Sequence, residues 1–314
     1  MMNSHFFAIA IIGPTGVGKT ELSLAVAQRF GCEIVSVDSM QVYRHMDIGT
    51  AKASLAEQAT VPHHLLDVVE PKEEYSAARY LADAAEVMAG IRQRGRVPLL
   101  VGGTGLYLRA LAEGLFEMPP CEESIRQGLA ARLEKEGSDV LHEELQRVDP
   151  VAAARVHPND TYRLLRGLEI YEATGISWSE HLAQGRQNAL VPDMLKIGLT
   201  WEREKLYGRI NRRVGQMVDE GLLDEVRSLI DQGYGPELKP MQAIGYRHMV
   251  EYLHGDHDWP ETLELLARDT RRYAKRQYTW FRRDPEINWF EPVQGKEIFD
   301  LIGKFLADHN RLQD

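Results

Sequence analysis

Gly13-Pro14-Thr15-Gly16-Val17-Gly18-Lys19-Thr20 decides how the rest of the chain is read. Two glycines with four residues between them, followed by Lys and a hydroxyl residue, have the spacing of a phosphate-cradling loop. Glycines let the backbone curl until successive N–H groups face one concavity, where a phosphate oxygen can sit with no Cβ in its way. The helix that starts there adds the positive end of its dipole. Lys19 supplies a mobile charge for the outer phosphate, and the Thr20 hydroxyl is placed to hold Mg2+. The flanks agree, since Phe6 to Ile12 reads as a buried strand and Glu21 to Phe30 as a helix. A cradle of this kind does not name its guest: ATP, another nucleotide or a pyrophosphate ester would each fit.

With 314 residues and a mass of 35.7 kDa, the chain can bury a full core in one large domain plus something smaller. Hydrophobic residues at 44% and charged residues at 27% are ordinary for a globular protein. No apolar run is long enough to span a bilayer, and the start of the chain lacks the basic, apolar and small-residue parts of a secretory leader. The expectation is a cytoplasmic protein with no membrane partner, acting as a monomer. Cys32 and Cys121 are too few for a disulfide framework or a zinc site. The net charge of −10 excludes a surface coated in positive potential but leaves room for a local basic patch.

Downstream of the loop, Cys32 to Ser39 is an apolar, β-branched run that delivers Asp38 to the carboxyl edge of a parallel sheet, where ligands of such sheets bind. Asp38 can assist Mg2+ through water or act as a general base; as a plain turn former it would do neither. Pro62 to Val69 reads as a further short strand. Tyr75 to Arg94 reads as a helix capped by Ser76 and stopped at Gly95. Val97 to Val101 is another strand, ending in the turn Gly102-Gly103-Thr104-Gly105 that opens a helix from Leu106 to Glu113. Such a turn allows a ligand close to the backbone. Where many phosphate-loop enzymes carry an acidic metal partner this strand has Gly-Gly-Thr, so Asp38 is the better candidate.

From Pro119-Pro120 to Pro192 the composition turns to Ala, Leu, Glu and Arg without strand alternation, as expected of a helical insert. Its helices are read at Glu122 to Glu136, Ser138 to Arg147, Pro150 to Val156, Asp160 to Ala173 and Ser177 to Gln184. Arg163 and Arg166 stand three apart on one face, either solvated or contacting a partner. Leu195 to Thr200 returns to strand. The expected organisation is therefore an α/β, P-loop NTPase-like parallel-sheet core in two parts, 1–118 and 193–314, around a mostly helical insert, 119–192. Glu202 to Gly233 reads as one long helical stretch, in which Arg209 and Arg213, four apart, can clamp a pyrophosphate from the side opposite Lys19. The stretch Ala267 to Arg283 holds seven basic residues, among them Arg271, Arg272, Lys275 and Arg276, with Tyr273, Trp280 and Phe281 between. Basic residues at helical spacing with aromatics interleaved are the footprint of a nucleic-acid surface.

Several motifs occur together and in order: the Gly-Pro-Thr-x-x-Gly-Lys-Thr loop, Asp38-Ser39-x-Gln41-Val42-Tyr43, Asp47 to Lys52, Val101 to Thr104, Pro150 to Asp160, Ile244-Gly245-Tyr246-Arg247 and Ala274 to Trp280. In this the chain resembles the bacterial tRNA dimethylallyltransferases almost end to end. The resemblance implies a P-loop core that binds dimethylallyl pyrophosphate with Mg2+, and an insert that helps grip a tRNA anticodon stem-loop. It implies transfer of the allyl group to N6 of the adenosine on the 3′ side of the anticodon, in tRNAs reading codons that begin with U, with release of pyrophosphate. Asp38, Thr104 and Arg213 would then be catalytic, and Gly13, Pro14, Thr15, Gly16, Val17, Gly18, Lys19 and Thr20 would hold the diphosphate. Contacts to RNA would come from Asp38, Ser39, Met40, Gln41, Thr104 and Arg126. Tyr162, Arg163, Leu164, Leu165 and Arg166 would join them, as would Gln242, Ala243, Ile244, Gly245, Tyr246 and Arg247, and the basic set at 271, 272, 275 and 276.

Two other readings use the same loop. A small-molecule kinase would transfer the γ-phosphoryl of ATP, but it has no use for the basic C-terminal stretch. A nucleotide switch would carry an Asn-Lys-x-Asp segment to read guanine, and none is present.

Overall fold

Apolar runs without polar alternation make strands that are buried on both faces. The computed structural model describes residues 7–115, 121–183, 189–191 and 193–310, the last without its side chain. In it β1 (Phe7–Ile12) is buried at all six positions. Successive side chains take opposite faces: Ala8, Ala10 and Ile12 enter one core, Ile9 and Ile11 the other. Burying each of those isoleucines is worth about 1.5–3 kcal/mol. The loop follows, then α1 (Lys19–Phe30), β2 (Cys32–Val37), α2 (Leu55–Thr60), β3 (His63–His64), α3 (Ala77–Gln93), β4 (Val97–Gly102) and α4 (Gly105–Glu113). After 189 come β5 (Asp193–Leu199) and β6 (Asn288–Phe290). The sheet is parallel throughout in the order β3-β2-β4-β1-β5-β6. β1 lies between β4 and β5, so the phosphate loop leaves from the middle of the carboxyl edge.

The described residues divide into two compact units, 1–112 with 190–314, and 113–189. The second consists of α5 (Glu123–Glu136), α6 (Ser138–Val148), α7 (Pro150–Ala153), α8 (Thr161–Thr174) and α9 (Trp178–Ala183) around Leu129, Leu141, Leu145, Leu164 and Leu168. The expected borders at Pro119-Pro120 and Pro192, together with Phe6 and Gln184, lie outside the described residues. In the first unit the chain continues from β5 through α10 (Arg203–Asp219), α11 (Leu222–Asp231), α12 (Tyr246–His254) and α13 (Trp259–Phe281), and after β6 closes with α14 (Gly295–Asn310). Leu22 and Val26 of α1, Leu206 and Ile210 of α10, and Ile298 and Ile302 of α14 cover one face of the sheet. Tyr80 and Met88 of α3, Leu111 of α4, Val226 of α11 and Met249 of α12 cover the other.

Two expectations are corrected. The helical stretch after Glu202 is two helices, because Gly221 takes φ 99° and starts α11 afresh. Pro62 to Val69 is a strand at His63–His64 and makes a single parallel bridge from Val69 to Tyr43, since Leu65 and Asp67 between them adopt positive φ and turn the chain. The Ser76 cap forms as read, its side chain accepting from Arg79 N. No described helix is long and apolar enough to cross a membrane.

Candidate diphosphate and nucleic-acid site

Gly16 at φ 76° and Gly18 at φ 109° give the loop its curl, a conformation an L side chain would resist. Gly18 caps α1 with no side-chain hydrogen bond, so the amides of the first turn face outward for an anion. Lys19 folds back on its own loop, its ammonium donating to Gly13 O at 3.0 Å and Pro14 O at 2.9 Å. Burial and the positive charge of Arg213 pull its pKa down to about 8, against the opposing pull of Asp38. Thr20 is exposed in the first turn of α1, and its carbonyl takes the Ser23 hydroxyl.

The loop is braced from behind. Arg209 Nε donates to Gly16 O at 2.8 Å, and the Trp201 indole N–H to Val17 O at 3.0 Å. Thr15 N donates to Gln277 Oε1 at 2.9 Å, and Gln277 Nε2 donates to Gly103 O at 3.0 Å. Arg209 was expected to clamp pyrophosphate beside Arg213; its Nε is engaged with the loop backbone at Gly16 O. Arg213, half-buried on α10, has a pKa lowered by burial and shares an electrostatic field with Asp38.

Asp38 stands just beyond β2. Its Oδ1 accepts from Met40 N at 2.9 Å and Gln41 N at 3.4 Å, and among the described residues no hydrogen bond uses Oδ2. Burial raises its pKa from the ordinary value, outweighing the Met40 and Gln41 amides and the charges of Lys19 and Arg213. Thr104 ties the glycine turn to this corner: its N–H donates to Val37 O at 3.1 Å and its hydroxyl accepts from Ser39 N at 3.1 Å. The Tyr273 phenol is held protonated to high pH by burial and by the charge of Asp38. One sheet edge thus carries an anion cradle, two cations and a carboxylate with an open oxygen. The Thr20 hydroxyl and the Asp38 carboxylate are hard oxygen donors of the kind Mg2+ takes alongside water and phosphate oxygens.

The expected RNA contacts separate by exposure. Leu164 is fully buried in the core of the second unit, and Tyr246 is fully buried in the first, its hydroxyl donating to Glu225 Oε1 at 2.6 Å. Neither side chain can meet RNA, and Gly245 is buried too. The Gln41 side chain is engaged within its own loop, accepting from Ser36 Oγ and donating to Thr50 O and Ala51 O. Ser39 and Met40 are half-buried beside Asp38, as are Ala243 and Ile244, while Gln242 is exposed with its amide on Pro236 O. Arg247 pairs with Asp269 at 2.9 Å, and Arg272 approaches the same carboxylate at 3.4 Å. Arg272, Lys275 and Arg276 are exposed on α13; Arg271 is half-buried, donating to Asn211 Oδ1. In the second unit Tyr162 is 81% exposed, and Arg163 is exposed and paired with Asp160. Leu165 packs on that unit's core, and Arg166 and Arg126 both approach Glu169.

Sequence reasoning placed Gln277 within a motif but gave it no role. The signal was there: at about 100° per residue, position 277 lies opposite Arg268, so a polar amide occupies the buried face of α13. Tyr278 beside it receives the Trp201 backbone N–H at 3.1 Å, so two consecutive residues of α13 reach the segments that brace the loop.

Known proteins carry the same architecture. Residues 41–284 match the family described as IPP transferase, and residues 7–67 match one described as isopentenyl transferase. A tRNA dimethylallyltransferase of Desulfotalea psychrophila is 51% identical over 96% of each chain. That of Desulfitobacterium hafniense strain Y51 is 48% identical over 97% of this chain and 99% of its own. The solved tRNA isopentenylpyrophosphate transferase of Bacillus halodurans is 42% identical, with a TM-score of 0.72 over 99% of both chains. A eukaryotic dimethylallyltransferase described as acting on tRNA is 30% identical, with a TM-score of 0.82 over 96% of this chain and 80% of its own.

Proposed function

Because this chain belongs to the IPP transferase family, we propose that its carboxyl-edge site holds dimethylallyl pyrophosphate while an anticodon stem-loop presents an adenosine to it. The enzyme is a tRNA dimethylallyltransferase, forming N6-dimethylallyl adenosine in tRNA. The acceptor is the adenosine on the 3′ side of the anticodon, in tRNAs reading codons that begin with U, and the place of the reaction is the cytoplasm. As the allylic C–O bond breaks, its electron pair goes to the diphosphate, and the N6–carbon bond forms at the carbon left electron-poor. Loop amides, Lys19 and Arg213 receive the charge that develops on the leaving group. The lone pair of N6 is delocalised into the ring, so N6 attacks well only as its proton leaves, and Asp38 Oδ2 accepts that proton. Thr104 keeps the glycine turn and the Asp38 corner together. Thr20, with Asp38 through water, would hold Mg2+, whose charge would further stabilise the departing diphosphate. The target base is extruded from its stack to reach the site. Arg247, Arg272, Lys275 and Arg276, with Tyr162 and Arg163 of the second unit, supply RNA contacts.

The observation that carries this reading is Asp38, with one oxygen uncommitted, sharing the charge field of Lys19 and Arg213 beside a phosphate cradle. The test is an anticodon stem-loop carrying either adenosine or guanosine at the acceptor position. Product from the adenosine form alone is expected; equal product from both would move the acceptor away from N6.

A further inference from the structure

We propose that Gln277 is a positioning residue that holds the Pro14–Thr15 peptide in place once Lys19 turns to the diphosphate, an inference that rests on the reading of the loop as a diphosphate cradle. In the free protein that peptide is held at both ends. Its carbonyl, Pro14 O, accepts from the Lys19 ammonium at 2.9 Å, and its N–H, Thr15 N, donates to Gln277 Oε1 at 2.9 Å. Two of the three ammonium donors are engaged with Gly13 O and Pro14 O, so a diphosphate that takes more than the third draws Lys19 away from the rim. The carbonyl side then loses its charge-assisted partner and keeps only the longer bond from Val17 N at 3.4 Å, while Gln277 holds the N–H side at 2.9 Å.

Gln277 is built for this. It is 6% exposed on the inward face of α13, and its Nε2 donates to Gly103 O in a buried hydrogen bond at 3.0 Å. A Cβ on Gly103 would collide with that nitrogen, so the glycine turn is shaped to admit the amide. One side chain, fixed on a 23-residue helix, therefore joins the diphosphate loop to the turn that carries Thr104. Only a group with an acceptor and a donor at these two atoms does both, and a carboxamide has that pair at any pH.

The experiment measures binding of inorganic pyrophosphate with Mg2+ to the full chain by calorimetry, alongside anticodon stem-loop affinity. Q277L, which offers neither partner, should bind pyrophosphate about ten- to a hundredfold more weakly, with stem-loop affinity within about twofold of wild type. Q277E accepts from Thr15 N but opposes Gly103 O while ionised; once protonated it regains the donor. Its pyrophosphate affinity, relative to wild type at the same pH, should recover as the pH is lowered. Unchanged pyrophosphate affinity in Q277L overturns the proposal. So does a Q277L defect that falls equally on stem-loop binding, or a Q277E ratio that does not move with pH, since either is what a general packing loss gives. Failure of the wild type itself to bind pyrophosphate would be a failure of the cradle reading instead.

Discussion

Lys19 of the free protein donates to two carbonyls of its own loop, and its pKa is lowered to about 8 from 10.5. The sign follows from that direction. A bound diphosphate favours the charged ammonium, so pyrophosphate affinity should fall as the pH rises through about 8, where the free protein's Lys19 gives up its proton. Calorimetry should find that step in wild type and not in Lys19→Ala; the same step in both would assign it elsewhere. Asp38 is shifted the other way. A carboxylate whose folded pKa is raised contributes stability while protonated and loses it as the pH rises through the folded value. Asp38→Asn should therefore melt above wild type near neutral pH, with the gap closing in acid, while kcat falls by about 10² to 10⁴. A lower melting temperature at neutral pH would contradict the burial cost assigned to Asp38. The type and spacing of both residues were legible in the chain. That Arg209 braces Gly16 was not, because two arginines four apart look alike on a helix until tertiary packing gives one of them a carbonyl.

Among the elements, α13 does the most. Its exposed face carries Arg272, Lys275 and Arg276, and its buried face carries Leu266, Ala274, Gln277 and Phe281. Replacing Arg272, Lys275 and Arg276 by Gln should weaken stem-loop binding and flatten its salt dependence by about one unit of slope for each phosphate no longer neutralised. Pyrophosphate affinity should stay as in wild type; an unchanged slope would return this face to solvent. The charge periodicity of α13 could be read directly. Its inward partners could not, since Gly103 and Thr15 lie far away in sequence and meet Gln277 only through the fold. The same limit explains Leu164 and Tyr246. Motif membership marks a segment, but only packing shows which side chains of the segment face inward. Gly221 breaks the helical stretch after Glu202 by a positive φ that helical periodicity does not reveal.

At the scale of the whole molecule, strand and helix alternation made the parallel sheet legible, and glycine-rich turns marked its functional edge. The strand order was not stated in the sequence; it arises because β1 inserts between β4 and β5, which brings residues 13–20, 38 and 104 to one edge. β6 was missed because Asn288–Phe290 is only three residues long, too short to show a strand pattern even after the Asp284-Pro285 turn signal that precedes it. The two units share no single pattern: one is a sheet covered on both faces, the other, in its described residues, a set of five helices around leucines. The central proposal is the cradle as the holder of a leaving group. Incubating the protein with allyl-labelled dimethylallyl pyrophosphate, Mg2+ and tRNA, without ATP, tests this most directly. Label is expected on N6 of the adenosine 3′ to the anticodon, together with released pyrophosphate. An unlabelled tRNA, with γ-phosphoryl transfer from labelled ATP in its place, would contradict it.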